Sequence, residues 1–407
     1  MIGGVQTLMT VARHGFSIRF DFPVFYTRDV FAPDNRSLLD ALNQRDAETG
    51  RRHRMFVAVD ASVAAAQPAL VPAIESYVAA HADGLALAGP PLLVPGGEAS
   101  KNDLQHTLDL LQHLHDTGMD RQSFVLVIGG GAVLDMVSFA AALCHRSVRI
   151  VRMPTTVLAQ ADSGVAVKNG INLFNKKNFI GTFVPPFAVL NDSRFIESLD
   201  RRDVVCGVVE AVKVSLLRDP DFFASLEASP ERIAANDPAL LPAIIRQSAE
   251  LHLAHICGNG DPFELGSARP LDFGHWAAHK MEALSGYRLR HGEAVAIGMA
   301  LDVCYAVRKG FLDQQTADRI LTLLERLGLS LWDNALEPID GRGTHALLAG
   351  LQEFREHLGG QLHVTMLRGI GRSFEVTEMD DVVVLAALGD LSARAAARTT
   401  SSTVLHG

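Results

Sequence analysis

Two histidines four residues apart, His275 and His279, precede a third, His291, by a short connection. On a helix the first two share a face. Catalytic zinc takes three nitrogen or oxygen ligands and keeps one position open, so this trio suits a metal site. The spacer Trp276-Ala277-Ala278 lacks the glutamate of the HExxH pattern, which argues against a peptidase. With 16 histidines in the chain, hydrogen-bonded core or surface histidines are the competing explanation. A second feature is Gly129-Gly130-Gly131, which follows an apolar run and opens an Ala/Val/Leu-rich segment. Such glycines let backbone approach a pyrophosphate that the next helix meets with its amides. The spacing is not GxGxxG, and a tight turn explains it equally well. Asp135 is placed to close that loop or touch a cofactor. Asp60, at the end of another apolar run, is placed to bind ribose hydroxyls or to cap a helix. A third cluster holds Asp162, Lys168, Asn169, Asn172, Lys176, Lys177 and Asn178 among small residues. It suits an anion such as phosphate, or simply a solvated face. Glu210 and Lys213 follow at i,i+3, flanked by valines that favour a site over a surface ion pair.

Elements must hold these groups in place. Apolar runs at 56–60, 124–128 and 148–153 read as buried parallel strands. Helical patterns at 102–117 and 132–143 alternate with them, so the expected fold is a mostly parallel, Rossmann-like sheet wrapped by helices. Beyond Asp192 the pattern becomes helical, at 242–256, 276–284 and 293–309, with a further β-rich run only at 362–367. The expected organisation is an α/β domain over 1–195, a mainly helical domain over 196–391 and a disordered tail over 392–407. A chain of 407 residues, 48% hydrophobic and 20% charged, can bury two such cores. Its net charge of −9 argues against a nucleic-acid or anionic-membrane partner. Four cysteines without CxxC pairs predict neither a disulfide framework nor a thiolate zinc site. No apolar stretch is long enough to span a membrane, and no signal peptide is read. A cytoplasmic protein is expected.

Taken in order, the motifs resemble the sugar phosphate cyclase superfamily, whose best-known member is 3-dehydroquinate synthase. They run Pro95-Gly-Gly-Glu98-x-x-Lys101, Gly129-Gly-Gly-x-x-x-Asp135, Pro154-Thr-Thr156, Asp162 to Asn172, Lys177-Asn178, Gly207-x-x-Glu210-x-x-Lys213, Phe273-Gly-His275-x-x-x-His279 and His291-Gly-Glu-x-Val-Ala-Ile-Gly298. The wording around Leu271–His279 is similar to the branch encoded in ebo gene clusters. The resemblance implies Glu210, His275 and His291 as ligands of a zinc or cobalt ion. It makes His279, with Lys168 and Lys213, a group that works on the substrate. It implies an NAD site lined by Asp60, Glu98, Lys101, Gly130, Gly131, Asp135, Thr155, Thr156 and Lys177. Asp162, Asn178, His252, Arg269 and Asp272 would face the substrate. Arg146 would reach the phosphate in the neighbouring subunit of a homodimer. The implied reaction makes a carbocycle from a seven-carbon sugar phosphate by transient oxidation, β-elimination of phosphate, reduction, ring opening and aldol closure.

Three departures stand out. Asp272 replaces a family asparagine, His252 a family lysine, and Arg269 is offset by one place from the family arginine. Together they make the end that receives the substrate's carboxylate less cationic, so a neutral-ended substrate such as sedoheptulose 7-phosphate is expected. Arg355 is the nearest stand-in for a missing C-terminal lysine. The competing readings are a metal-dependent alcohol dehydrogenase of the glycerol dehydrogenase type and a non-catalytic NAD-binding paralogue.

Overall fold

The structure, a computed structural model, describes residues 12–44, 52–174, 176–258, 262–263, 270–337, 345–357 and 360–404. Its N-terminal part is built on strands β1 (Val24–Thr27), β2 (His53–Asp60), β3 (Leu85–Leu87), β4 (Leu92–Val94), β5 (Phe124–Gly129), β6 (Arg149–Pro154), β7 (Lys168–Leu173), β8 (Lys176–Phe183) and β9 (Ala188–Asp192). All but β7 and β8 form one parallel sheet in the order β1-β9-β6-β5-β2-β3. β4 continues this edge, pairing Ala58–Asp60 where β3 pairs His53–Met55. The three strands predicted from apolar runs are the central ones. Buried on both faces, they alternate between two cores. Phe124, Leu126 and Ile128 of β5 pack with Leu38, Leu42, Ile74 and Tyr77, while Val125 and Val127 pack with Leu110, Leu114, Val133 and Val137. The helices of the second core, Leu104–Asp116 and Gly131–Leu143, are the two that the sequence pattern predicts. Asp60, Gly129, Pro154 and Asp192 end their strands at the same carboxyl edge, where open α/β sheets bind ligands.

The segment after Asp192 is helical. Two of its helices are buried nearly all round: Arg201–Arg218, through Val204–Leu217, and His291–Arg308, through Ala294–Ala306. They are central spokes rather than surface helices. Trp276, Phe222, Phe223 and Phe273 complete this core, each fully buried and contributing roughly 1.5–3 kcal/mol. The small antiparallel pair β10 (Val364–Gly369) and β11 (Arg372–Val376) lies beside it. One expectation changes. The stretch from residue 392, read as a disordered tail, continues a helix running Asp381–Val404, because Leu391 is buried and Arg394 pairs with Glu325 at 2.8 Å. Small residues such as Ala395–Ala397 favour helix as readily as disorder. Among the described residues no helix is long and apolar enough to cross a membrane.

The polar cluster at 168–178 lies on the antiparallel hairpin β7–β8. A fully buried arginine on β6 sets its start. Arg152 donates to the carbonyls of Ala166 at 2.6 Å, Lys168 at 3.0 Å, Gly164 at 3.3 Å and Ser163 at 3.4 Å, and also to the side-chain oxygen of Asn169. Burial lowers its pKa only to about 10, so it stays charged. The substitution Arg152→Met is expected to cost at least about 3 kcal/mol, since several buried acceptors lose a charged donor. Urea unfolding checks this, and limited proteolysis should cut first within 163–183.

Candidate active site

Three donors converge between the sheet edge and the helical core. Glu210 projects from the middle of the Arg201–Arg218 helix and is 2% exposed. His275 opens its helix just after Gly274, and His291 opens the next. His275 Nε2 lies 4.0 Å and His291 Nε2 3.9 Å from Glu210 Oε1, and all three donor atoms fall within 4.8 Å of one another. The far nitrogens are held. His275 Nδ1 meets the Phe273 carbonyl at 3.1 Å, and His291 Nδ1 meets Glu282 Oε2 at 3.3 Å. Both acceptors place the proton on Nδ1 and turn the Nε2 lone pair inward. Burial, with the Lys213 charge nearby, pushes the His275 pKa well below the ordinary value and keeps the ring neutral. Neither oxygen of Glu210 accepts a well-formed hydrogen bond among the described residues, although the Lys213 ammonium is paired with Oε2. Burial raises its carboxyl pKa to about 7 against that lysine. A buried carboxylate in need of positive charge, facing two imidazoles, fits a tetrahedral divalent ion with one open position.

Glycines bring these helices together. A Cβ on Gly298 would run into the Gly274 carbonyl, and one on Gly292 into the backbone of Cys206. Gly274 also has φ +78°, which suits it to the turn just before His275. Asp302 fixes the same turn from beneath. It is fully buried and accepts from Gly274 N at 3.0 Å and Trp276 Nε1 at 2.8 Å. His279 is exposed on the adjoining turn, its ring 5.5 Å from that of His275 and stacked 6.1 Å from that of His291.

On the substrate side of Glu210, Lys213 is buried, with Asp162 Oδ2 3.7 Å away. Asp162 Oδ1 is 3.3 Å from His252 Nδ1. Burial alone would lower the Lys213 pKa, yet Glu210, Asp162 and Asp272 hold it above the usual value. Asp162 in turn is held well below the carboxylate range, despite its burial, by His252 and Lys213. Thus Asp162, Lys213, His252 and Asp272 lie near one another. Lys168 starts β7 with its side chain exposed. Arg269 lies outside the described residues. Arg146 is exposed in a turn where His145, Arg146 and Ser147 all have positive φ. Arg355 is exposed and donates to Gln352 at 3.3 Å, which assigns it no place at the site.

At the sheet edge, the Gly131–Leu143 helix starts from Gly130 with no side-chain cap, so its first amides face outward from the turn. A Cβ on Gly131 would sit 2.7 Å from Ser163 Oγ, and one on Gly130 3.4 Å from the Thr156 methyl. The Ser163 and Thr155 hydroxyls, both buried, have no hydrogen-bond partner among the described residues. Backbone room, open amides and two unpaired hydroxyls fit a dinucleotide's phosphates. Asp60 caps the Ala61–Ala66 helix, accepting from Ser62 N at 2.8 Å. Lys101 is buried, donating to Asp135 at 2.8 Å and to Asn178 Oδ1 at 2.5 Å, with Glu98 at 3.8 Å. Asn178, read from sequence as facing the substrate, is therefore engaged with a lysine assigned to the cofactor. Lys177 reaches from β8 to Glu282, at 3.0 and 3.2 Å.

Ser163, Arg152, Glu282 and Asp302 escape the sequence reading. Glu282 alone carried a usable signal, since His275, His279 and Glu282 follow the i, i+4, i+7 spacing of one helical face. Comparisons with known proteins give the family. The 3-dehydroquinate synthase N-terminal profile matches residues 91–206 and the C-terminal profile residues 207–344. A 2-epi-5-epi-valiolone synthase of Streptomyces glaucescens is 38% identical over 280 residues, covering 68% of this chain and 70% of its own. A 3-dehydroquinate synthase of Ruegeria sp. is 36% identical over 361 residues, covering 88% and 93%. The solved 2-epi-5-epi-valiolone synthase of Streptomyces hygroscopicus, with NAD+ and Zn2+ bound, superposes with a TM-score of 0.83 at 27% identity, covering 94% and 100%. The chain belongs to the 3-dehydroquinate synthase family and is a sugar phosphate cyclase of that kind. A glycerol dehydrogenase from Sinorhizobium meliloti, at 16% identity and a TM-score of 0.57, shares the fold alone.

Asp302→Asn must turn an amide N–H toward either Gly274 N or the Trp276 indole, setting donor against donor. The expected loss is about 2 kcal/mol of stability and about tenfold in zinc affinity, read by thermal melting and chelator competition. Unchanged values for both would show that the turn needs no acceptor beneath it.

Proposed function

We propose that this cyclase acts on a neutral-ended seven-carbon sugar phosphate, such as sedoheptulose 7-phosphate, rather than on the acid phosphate. The carrying observation is the charge around Lys213: one buried ammonium is shared among Glu210, Asp162 and Asp272, and His252 stands beside Asp162. A substrate carboxylate there would meet a further acid, with the Lys213 ammonium already shared among three carboxylates. The similarity to 2-epi-5-epi-valiolone synthases, in sequence and in structure, supports the same direction.

In this reading Glu210, His275 and His291 hold a zinc or cobalt ion, and the glycine turn with Asp60, Glu98, Lys101, Asp135, Thr155, Thr156 and Lys177 holds NAD. When bound, these groups supply reversible hydride transfer and polarisation of the reacting oxygens. The chain's own residues do the positioning. Lys213 holds the hydroxyl end beside Glu210, Asp162 orients Lys213, and His279 lines the open side of the metal donors. Lys168 and Asn178, with Arg146 contributed by a second copy, offset the phosphate charge as it leaves. That role for Arg146 makes the functional unit a homodimer. The hydride taken in the first step is returned, so phosphate appears without net NADH, unlike the outcome for a dehydrogenase.

Purified protein with NAD+ and zinc or cobalt should release inorganic phosphate from sedoheptulose 7-phosphate with no accumulation of NADH. Turnover of the acid phosphate alone would overturn the assignment. The double variant His252→Lys, Asp272→Asn should raise kcat/KM for the acid phosphate by at least about tenfold, the worth of one charge-assisted hydrogen bond.

A further inference from the structure

Glu282 is 4% exposed, and its two oxygens serve two halves of the molecule. Lys177, on the β7–β8 hairpin of the sheet-bearing part, donates to both, at 3.0 and 3.2 Å. His291, a metal donor of the helical part, meets Oε2 at 3.3 Å. One carboxylate is therefore divided between a lysine assigned to the cofactor and the back of a metal histidine. We infer that Glu282 is a positioning residue that makes NAD and metal binding cooperative. The inference rests on the cyclase reading of both sites.

The sign follows from the shared oxygen. While the Lys177 ammonium sits on Glu282, part of the carboxylate's charge is spent on it. When Lys177 turns toward a bound dinucleotide, that charge faces the His291 Nδ1–H and makes Nε2 a stronger ligand. Each ligand then tightens the other by the same factor, as linkage requires. His279 is the third imidazole on this face, its donor atom within 4.8 Å of those of Glu282 and His291.

The test is zinc affinity by chelator competition, with and without saturating NAD+, and NAD+ affinity by calorimetry, with and without zinc. The wild type should show a coupling factor of about five or more. Glu282→Gln keeps an acceptor for His291 but loses the charge. It should weaken zinc by about 10- to 100-fold and bring the coupling factor to about one. Lys177→Met should raise the NAD-free zinc affinity to the wild type's NAD-bound value and lose the coupling, and it decides the matter if Glu282→Gln does not fold. A wild-type coupling factor of about one, or full coupling retained in these variants, overturns the inference while leaving the cyclase reading intact. A wild type that binds neither zinc nor NAD+ overturns both, a pattern distinct from the first.

Discussion

The Glu210 carboxylate is the constraint around which the molecule is arranged. It sits in the middle of a helix buried on every side, where an unpaired charge would cost several kcal/mol. Only positive charge brought to it makes that position tolerable. Lys213 supplies some, one turn along the same helix, but Asp162 and Asp272 draw on the same ammonium. The remaining side of Glu210 is faced by two imidazoles, His275 and His291, whose far nitrogens are held by the Phe273 carbonyl and Glu282. The glycines at 274, 292 and 298 are consequences of this arrangement. Three helices must approach within backbone contact for their first-turn and mid-helix side chains to meet at one point. A methyl group at any of these positions would push a donor away.

The sheet contributes through its topology. Parallel strands deliver Asp60, Gly129 and Pro154 to one edge, and the helix after the glycine turn points its amides there. The hairpin β7–β8 then leaves that edge and carries Lys177 across to the helical part. Arg152 makes this excursion affordable, since its guanidinium satisfies a run of carbonyls that the bend at 163–168 leaves without strand partners. The hairpin thus adds a polar link between two parts that also meet through apolar packing, Val165 and Val189 against Ala249.

What could be read from the sequence followed from periodicity and local chemistry. Central parallel strands are continuous apolar runs, so 56–60, 124–128 and 148–153 stood out. The edge strands β1, β3 and β4 are three or four residues long, too short to show a period. Histidines at four-residue spacing announce a shared helical face. The partners behind them do not, because Asp302 is 26 residues from the indole it anchors and Lys177 is 105 from Glu282. The hairpin was hidden for another reason: its alternation is of polar and small residues, and the pairing of Lys168–Phe183 depends on Arg152 fixing where it begins. The stretch from Ser392 reads as a tail because it is mostly Ala, Ser and Thr, and packing through Leu391 and Arg394 commits it to the helix that begins at Asp381.

The departures from the family pattern have a location, and the location carries meaning. The metal donors and the glycine turn have the residue types that the resemblance requires, and their geometry fits an ion and a dinucleotide. Asp272 and His252 instead gather about Lys213 and Asp162, the place where a substrate's terminal group would lie. Drift in a decaying site would fall on Glu210 as readily as anywhere, since without an ion chiefly Lys213 offsets its buried charge. Glu210 carries the costly charge, and His252 and Asp272, which the resemblance sets against a cation and an amide, stand close to it. That combination is intelligible if the chemistry at the metal is maintained and the recognition of the substrate's end has changed.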